Sequence, residues 1–248
     1  MTRPSPEVEA LAAQRLAQDT AATDTATRRT TITLRQAWRA FWRHPSPPMI
    51  ATALVAASTA RVLAPGGDLW ELTIPVALVA LFPAIEWVIH VIVLHWRPRQ
   101  VGPVRIDSLL AREHRAHHAD PRDIPLVFIP WQALLWLIPA GAAAALLALP
   151  TTSSALTLLV SAAAIMFGYE WIHYLVHSDY RPRSRAYRAV WRNHRLHHYK
   201  NEHYWFTVTT SGTADRLFGT CPDAADVPTS PTVRKLHETD PGPATITG

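Results

Sequence analysis

The residues that could do chemistry in this chain are its histidines, and they are written in blocks. Of 13 histidines, ten fall into four clusters: His90 and His95; His114, His117 and His118; His173 and His177; and His194, His197 and His198. Two of the blocks are near copies, REHRAHH at 112–118 and RNHRLHH at 192–198. On a helix, residues i, i+3 and i+4 lie within an arc of about 100°, so each triplet can aim three imidazoles to one side. His173 and His177 share a face in the same way. His90 and His95 would be splayed by about 140° on an ideal helix, so a local π-type widening or the helix end near Trp96 is needed to turn both inward.

Ten imidazoles exceed what one ion can take, because a catalytic transition metal uses about four to six positions and leaves at least one open. Two ions fit, as in paired sites with metals about 3.5–4 Å apart. Without a metal, ten imidazoles beside an apolar bundle would lack partners. His44 and His237, outside the blocks, read as ordinary satisfied residues. Glu86 and Glu170 stand inside apolar tracts, four residues before His90 and three before His173. An ionised side chain there costs about 2.5–3.5 kcal/mol on insertion scales. Accepting an imidazole N–H would offset that cost and fix the ring's tautomer, which predicts both glutamates one step behind the ligands; direct ligation is the alternative. Asp107 and Asp120, in the first basic loop, could serve similarly and read better as caps or turns. The single cysteine, Cys221, excludes an intramolecular disulfide and makes a thiolate metal site implausible.

The elements that must position these residues are apolar. Within 248 residues, long apolar tracts run over 49–64, 69–96, 126–149 and 155–176, between polar ends. A span needs about 20 residues to cross a hydrocarbon core of about 30 Å, which the last three tracts supply. The first is short and carries Arg61, so it would cross with tilt, snorkelling or local thinning. PGGD at 65–68 and PTTS at 150–153 read as outer turns of two helical hairpins. Pro75, Pro83, Pro130 and Pro139 predict kinks. The expected fold is all-α: a four-helix integral membrane bundle under a cytoplasmic helical cap that holds a histidine-rich dimetal site. Residues 1–48 read as a polar tail ending in an interfacial helix, LRQAWRAFWRHP, 49–220 as the membrane-embedded domain and 221–248 as a C-terminal tail.

The net charge of +5 raises the question of nucleic acid. The basic residues lie before Met49, between Arg97 and Arg122 and after Arg181, with Arg61 the exception. That is the positive-inside pattern of a membrane protein with its termini and histidines in the cytoplasm, and it accounts for the charge without nucleic acid. Arginine over lysine and alanine-rich helices fit a bacterial plasma membrane. Imidazoles alone do not choose between zinc and iron. The address at the lipid boundary does favour one: the reacting carbon should belong to a lipid, and attacking its C–H bond calls for a redox metal and dioxygen.

These blocks, in this order, resemble the fatty acid hydroxylase superfamily, which includes sterol desaturases, and most closely its fatty acid 2-hydroxylases. The likeness runs from Glu86 to Thr220, through His90 and His95 with the following WRP, then HRAHHADPRDIPLVFIP, YEWIHYLVH, HRLHHYKN and TADRLFGT. It implies four membrane helices capped by a cytosolic dimetal site that inserts oxygen next to a carboxyl or acyl carbonyl. It also implies two irons, with zinc as a substituted metal, held by the ten clustered histidines. Residues 1–48 are too short for the haem-bearing donor domain of some relatives. Electrons would therefore come from a separate ferredoxin, or a cytochrome with its reductase. His203 and Trp205, in NEHYWF, are expected to line the substrate entrance, and Trp131, Trp136, Trp191 and Phe206 an acyl path. The rivals are a sterol or carotenoid hydroxylase or desaturase of the same superfamily and, outside enzymes, a membrane haem or metal-ion carrier.

Overall fold

The computed structural model describes residues 31–237. The expected tail over 1–30 and the last residues of the C-terminal segment lie outside them. The first element, α1 (Leu34–Phe41), opens on a capping box: Gln36 N donates to Thr33 Oγ1 at 3.3 Å and Thr33 N to Gln36 Oε1 at 2.8 Å. Its apolar stripe is divided. Phe41 and Ala37 are fully buried, while Leu34, Trp38 and Trp42 remain 38–49% exposed.

Four long helices follow. α2 (Ser46–Leu63) begins with Pro47 and Pro48 in its first turn, where a missing N–H costs no helical bond. A 3-10 turn (Leu69–Leu72) leads into α3 (Thr73–Val88), which continues as a π-helical segment (Ile89–Leu94). α5 (Trp131–Ala148) and α6 (Thr152–His177) form a second hairpin, and α2 packs along α6. Three stretches are long and apolar enough to cross a membrane: Leu69–Leu94, Ile124–Ala148 and Thr152–His177. Their side chains point mostly outward, with Val76 69%, Val79 63% and Leu147 88% exposed, an apolar coat that lipid would cover and water would not. A 26-residue helix is about 39 Å long against a core of about 30 Å, so the spans are long enough to cross with turns to spare.

Two expectations are corrected. Arg61 does not snorkel: its guanidinium bonds Glu71 Oε2 at 3.0 Å and Thr157 Oγ1 at 2.9 Å, and Ser153 and Thr157 donate to the same carboxylate oxygen at 3.1 and 2.9 Å. Of the four prolines expected to kink helices, Pro75 lies in the first turn of α3 and Pro130 caps α5, so only Pro83 and Pro139 interrupt a helix.

The segments between the hairpins form the histidine-bearing end. A two-stranded antiparallel ribbon, β1 (Arg99–Val101) and β2 (Val104–Ile106), turns at Gly102 with φ +58° and departs from the all-α expectation. The Gly-Pro turn between two valines is a hairpin signal that the dominant helical pattern hides. α4 (Leu109–Ala119) and α7 (Arg185–Tyr199) are each capped by a serine, Ser108 accepting from Ala111 N and Ser184 from Tyr187 N, both at 3.1 Å. A short α8 (Thr213–Leu217) starts from Gly212 in the left-handed region. Ala37, Phe41, Val127, Phe128, Tyr174 and Leu175 form a buried core beside this end.

Candidate metal centre

The helical arithmetic that groups the histidines also divides them. Along α4, His114 and His118 face one way and His117 the other; along α7, His194 and His198 face one way and His197 the other. Each triplet therefore serves two places. One group joins His90, His95, His114, His118 and His197; the second joins His117, His173, His177, His194 and His198, the ligand atoms of each lying within 4.8 Å of one another. His95 reaches the first group because the chain widens there: His95 N donates to His90 O at 3.0 Å, an i to i−5 bond. The π-segment turns a five-residue spacing into the equivalent of the four-residue His173–His177 pair.

All ten residues present Nε2. The inter-imidazole Nε2 separations are 3.1 Å for His90–His114, His118–His197, His173–His194 and His194–His198, 3.2 Å for His95–His197 and His117–His177, and 2.9 Å for His177–His194. Ligands about 2.1 Å from an ion stand about 3.0 Å apart at right angles and about 3.4 Å apart in a tetrahedron. The spacing thus fits octahedral positions, five filled by imidazole and one left over. Hydrogen bonding is not an alternative account. His118 Nδ1 bonds Val233 O at 3.1 Å and His197 Nδ1 bonds Tyr204 O at 2.8 Å, so both rings carry their proton on Nδ1. Their Nε2 lone pairs crowd within 3.1 Å, an arrangement that a cation bound by both would make favourable. His177 is oriented likewise, through Pro121 O at 2.9 Å.

Burial, reinforced by neighbouring imidazoles, holds His95, His114, His117, His118, His194 and His198 well below the usual histidine range, and burial foremost lowers His197 to about 3. Neutral rings with free Nε2 lone pairs are the form a metal binds. His44 and His237 take no part: His44 stacks on Phe128 at 4.1 Å and His237 Nε2 bonds the His95 carbonyl at 3.0 Å.

The glutamates act differently from the expectation. Glu86 Oε1 accepts from Val208 N at 2.8 Å and Thr209 N at 2.9 Å, and Oε2 accepts from Thr209 Oγ1 at 2.9 Å. Glu170 Oε1 accepts from Ile129 N at 3.0 Å. Both carboxylates grip the backbone of a loop instead of an imidazole N–H: Glu86 holds one from the other half of the chain, Glu170 the one that leads into α5. Those loops bring the backbones of Phe206 and Val127 to face His90 and His173, whose Nδ1 atoms stop short of full hydrogen-bond geometry.

Asp215 is the functional residue that residue chemistry alone did not single out. Fully buried, it accepts from Phe206 N at 2.8 Å, Thr207 N at 3.0 Å, Thr220 Oγ1 at 2.8 Å and Thr207 Oγ1, and so shapes the loop that carries Phe206. Its signal was the sequence GTAD, an acidic residue in the first turn of a helix after glycine. Asp107 pairs with Arg115 at 2.6 and 2.7 Å, which draws its carboxyl below the usual range, and steadies α4 from below its cap. Asp120 closes a turn through Arg122 N at 3.1 Å. His203 is exposed beside Glu202, whereas Trp205 is 2% exposed with φ +56°.

The site is that of a membrane-type protein with two groups of five imidazoles, each able to hold a metal ion, at one end of three apolar spans. A family model described as fatty acid hydroxylase matches residues 75–220, which include all ten histidines, Glu86, Glu170 and Asp215, and the chain belongs to that family, within the fatty acid hydroxylase and sterol desaturase superfamily. Neither curated proteins nor solved structures give a significant match. Membership implies oxidoreductase activity of the membrane hydroxylase and desaturase kind.

Proposed function

We propose that the protein hydroxylates a fatty acyl chain beside its carbonyl, with a pair of irons, dioxygen and electrons from a separate ferredoxin or cytochrome. The carrying observation is the His118–His197 pair, two Nδ1-protonated rings whose bare Nε2 atoms stand 3.1 Å apart. When bound, redox ions there supply what the side chains lack: one oxygen atom goes to the product and the other to water, with two electrons and two protons consumed. The chain's own residues hold the ligands, keep them neutral and exclude water by burial. The five-imidazole sets support a six-coordinate ion with one exchangeable position better than a closed tetrahedral zinc site.

The histidine end also carries the basic segments 97–122 and 181–195, whereas among the described residues the far end holds only Arg61, paired with Glu71. This asymmetry favours a cytoplasmic metal centre in a plasma membrane. A haem carrier is disfavoured, since it needs two opposed imidazoles across a porphyrin-sized slot and these rings close on one another at about 3 Å. The test is anaerobic iron loading of the purified protein, followed by turnover with dioxygen, a reductase system and fatty acyl substrates. A 2-hydroxy acid in the products bears the reading out. Unchanged lipids from iron-replete protein, or a Soret band, would reject it.

A further inference from the structure

The repeat that relates the two metal groups extends beyond their ligands. Glu86 and Glu170 stand one turn before a ligand histidine, and each holds an opposing loop, Val208 N at 2.8 Å and Ile129 N at 3.0 Å. Two residues back along each loop lie the backbones that face His90 and His173, those of Phe206 and Val127. Phe206 and Val127 therefore occupy equivalent places over the two groups, and they differ in size. The Phe206 ring, 6% exposed, lies against His90, His95 and His197 with centroids 5.3–5.5 Å away and covers the first group.

On the Val127 side a cleft of about 50 Å³ reaches His114 of the first group and His117 and His173 of the second. Its walls include Leu94, Leu110 and Leu126, and its only polar side chains besides the ligands are Glu113 and Tyr169. The Tyr169 ring stands 5.6 Å from that of His173, and the matching position before Glu86 is Ile85. The hydroxyl is thus found on one side of the repeat only. A space of about 50 Å³ holds a few water-sized groups. That width suits a run of methylenes and does not suit a fused ring.

We infer that the reacting chain reaches the metal pair through the Val127 cleft alone. Val127 sets its width and Tyr169 is the positioning residue that hydrogen-bonds the carbonyl oxygen next to the reacting carbon. This rests on the acyl hydroxylase reading and replaces the expected entrance at His203 and Trp205, which lie on the Phe206 side.

The experiment uses the full-length, metal-loaded protein and palmitic acid carrying a diazirine near its carboxyl end, with crosslinks mapped by mass spectrometry. Label is expected on 124–130 and on the peptide containing Tyr169. Val127→Phe should lower it about tenfold or more at unchanged metal content, the scale on which small volume changes discriminate in apolar pockets. Val127→Ala should raise labelling by an α-methyl-branched analogue, and Tyr169→Phe should spread hydroxylation over neighbouring carbons. Label confined to 201–211, wild-type labelling of a metal-replete Val127→Phe, or unaltered branch discrimination in Val127→Ala would each overturn the inference. Labelling at 124–130 without any hydroxylated product would sink the hydroxylase reading and leave the cleft standing.

Discussion

Because each triplet is shared, pairs of substitutions should sort by metal group and not by sequence neighbourhood. Structural zinc held by four ligands is worth about 10–16 kcal/mol, so one imidazole carries about 3 kcal/mol, or about a hundredfold in affinity. His117→Ala with His194→Ala takes two ligands from the second group and none from the first. That ion should weaken about ten-thousandfold while its neighbour keeps wild-type affinity. His114→Ala with His117→Ala, within one triplet, takes one ligand from each group, and both ions should weaken only about a hundredfold. A chelator poised between those two affinities should strip half the metal from the first double variant and little from the second, as read by elemental mass spectrometry. Half-loss from the triplet variant with full retention in the split pair would mean that each triplet holds its own ion, and the geometry described above would be wrong.

Glu86→Ala should leave two backbone N–H groups and a hydroxyl without their acceptor, at about 1–3 kcal/mol each, whereas Glu86→Gln retains one oxygen; faster chelator-driven metal loss in Ala than in Gln is the check. Arg61→Leu should lower the melting temperature more than Arg61→Leu combined with Glu71→Leu, since the double change leaves no buried carboxylate without its cation. In metal-free protein the lowered histidines set the sign of the pH effect. The unfolded rings take up protons below about 6.5 and the buried ones do not, so stability is intact above that value and falls below it, His197 contributing down to about 3. Each such ring removes up to about 1.4 kcal/mol per pH unit, so apo melting temperatures should drop between about pH 7 and pH 5.5; an unchanged value would contradict the neutral cluster.

Much of the centre was legible because histidine blocks obey helical geometry. The i, i+3, i+4 spacing announced faces on α4 and α7, and the five-residue gap of His90 and His95 called for a π-widening or the helix end near Trp96, of which the first is found. The division of each triplet between two ions was not legible, since it depends on how α4 and α7 cross in space. The glutamates were read one step too close: their position before a histidine was plain, but their partners, Val208, Thr209 and Ile129, come from segments 122, 123 and 41 residues away in sequence. Aromatic residues misled for a related reason. Trp136 is 78% exposed and Trp205 2%, and composition cannot tell an anchor in lipid from a core side chain.

α2 and α3 both pack against α6, with polar contacts at both ends, and that arrangement follows from the solvent. Apolar burial drives helices together weakly when the surroundings are hydrocarbon, so association must come from close packing and hydrogen bonds. At the outer end Glu71, from the first hairpin, accepts from Ser153 and Thr157 of the second while pairing with Arg61. A side chain at Gly67 would strike the Arg61 guanidinium, which explains the glycine in that turn. At the histidine end the halves exchange imidazoles, His197 joining the group of the first half and His117 that of the second. Neither half can complete a five-nitrogen set alone, so metal binding and the docking of the hairpins are one equilibrium. Free energy gained on binding a metal there would also hold the two halves together.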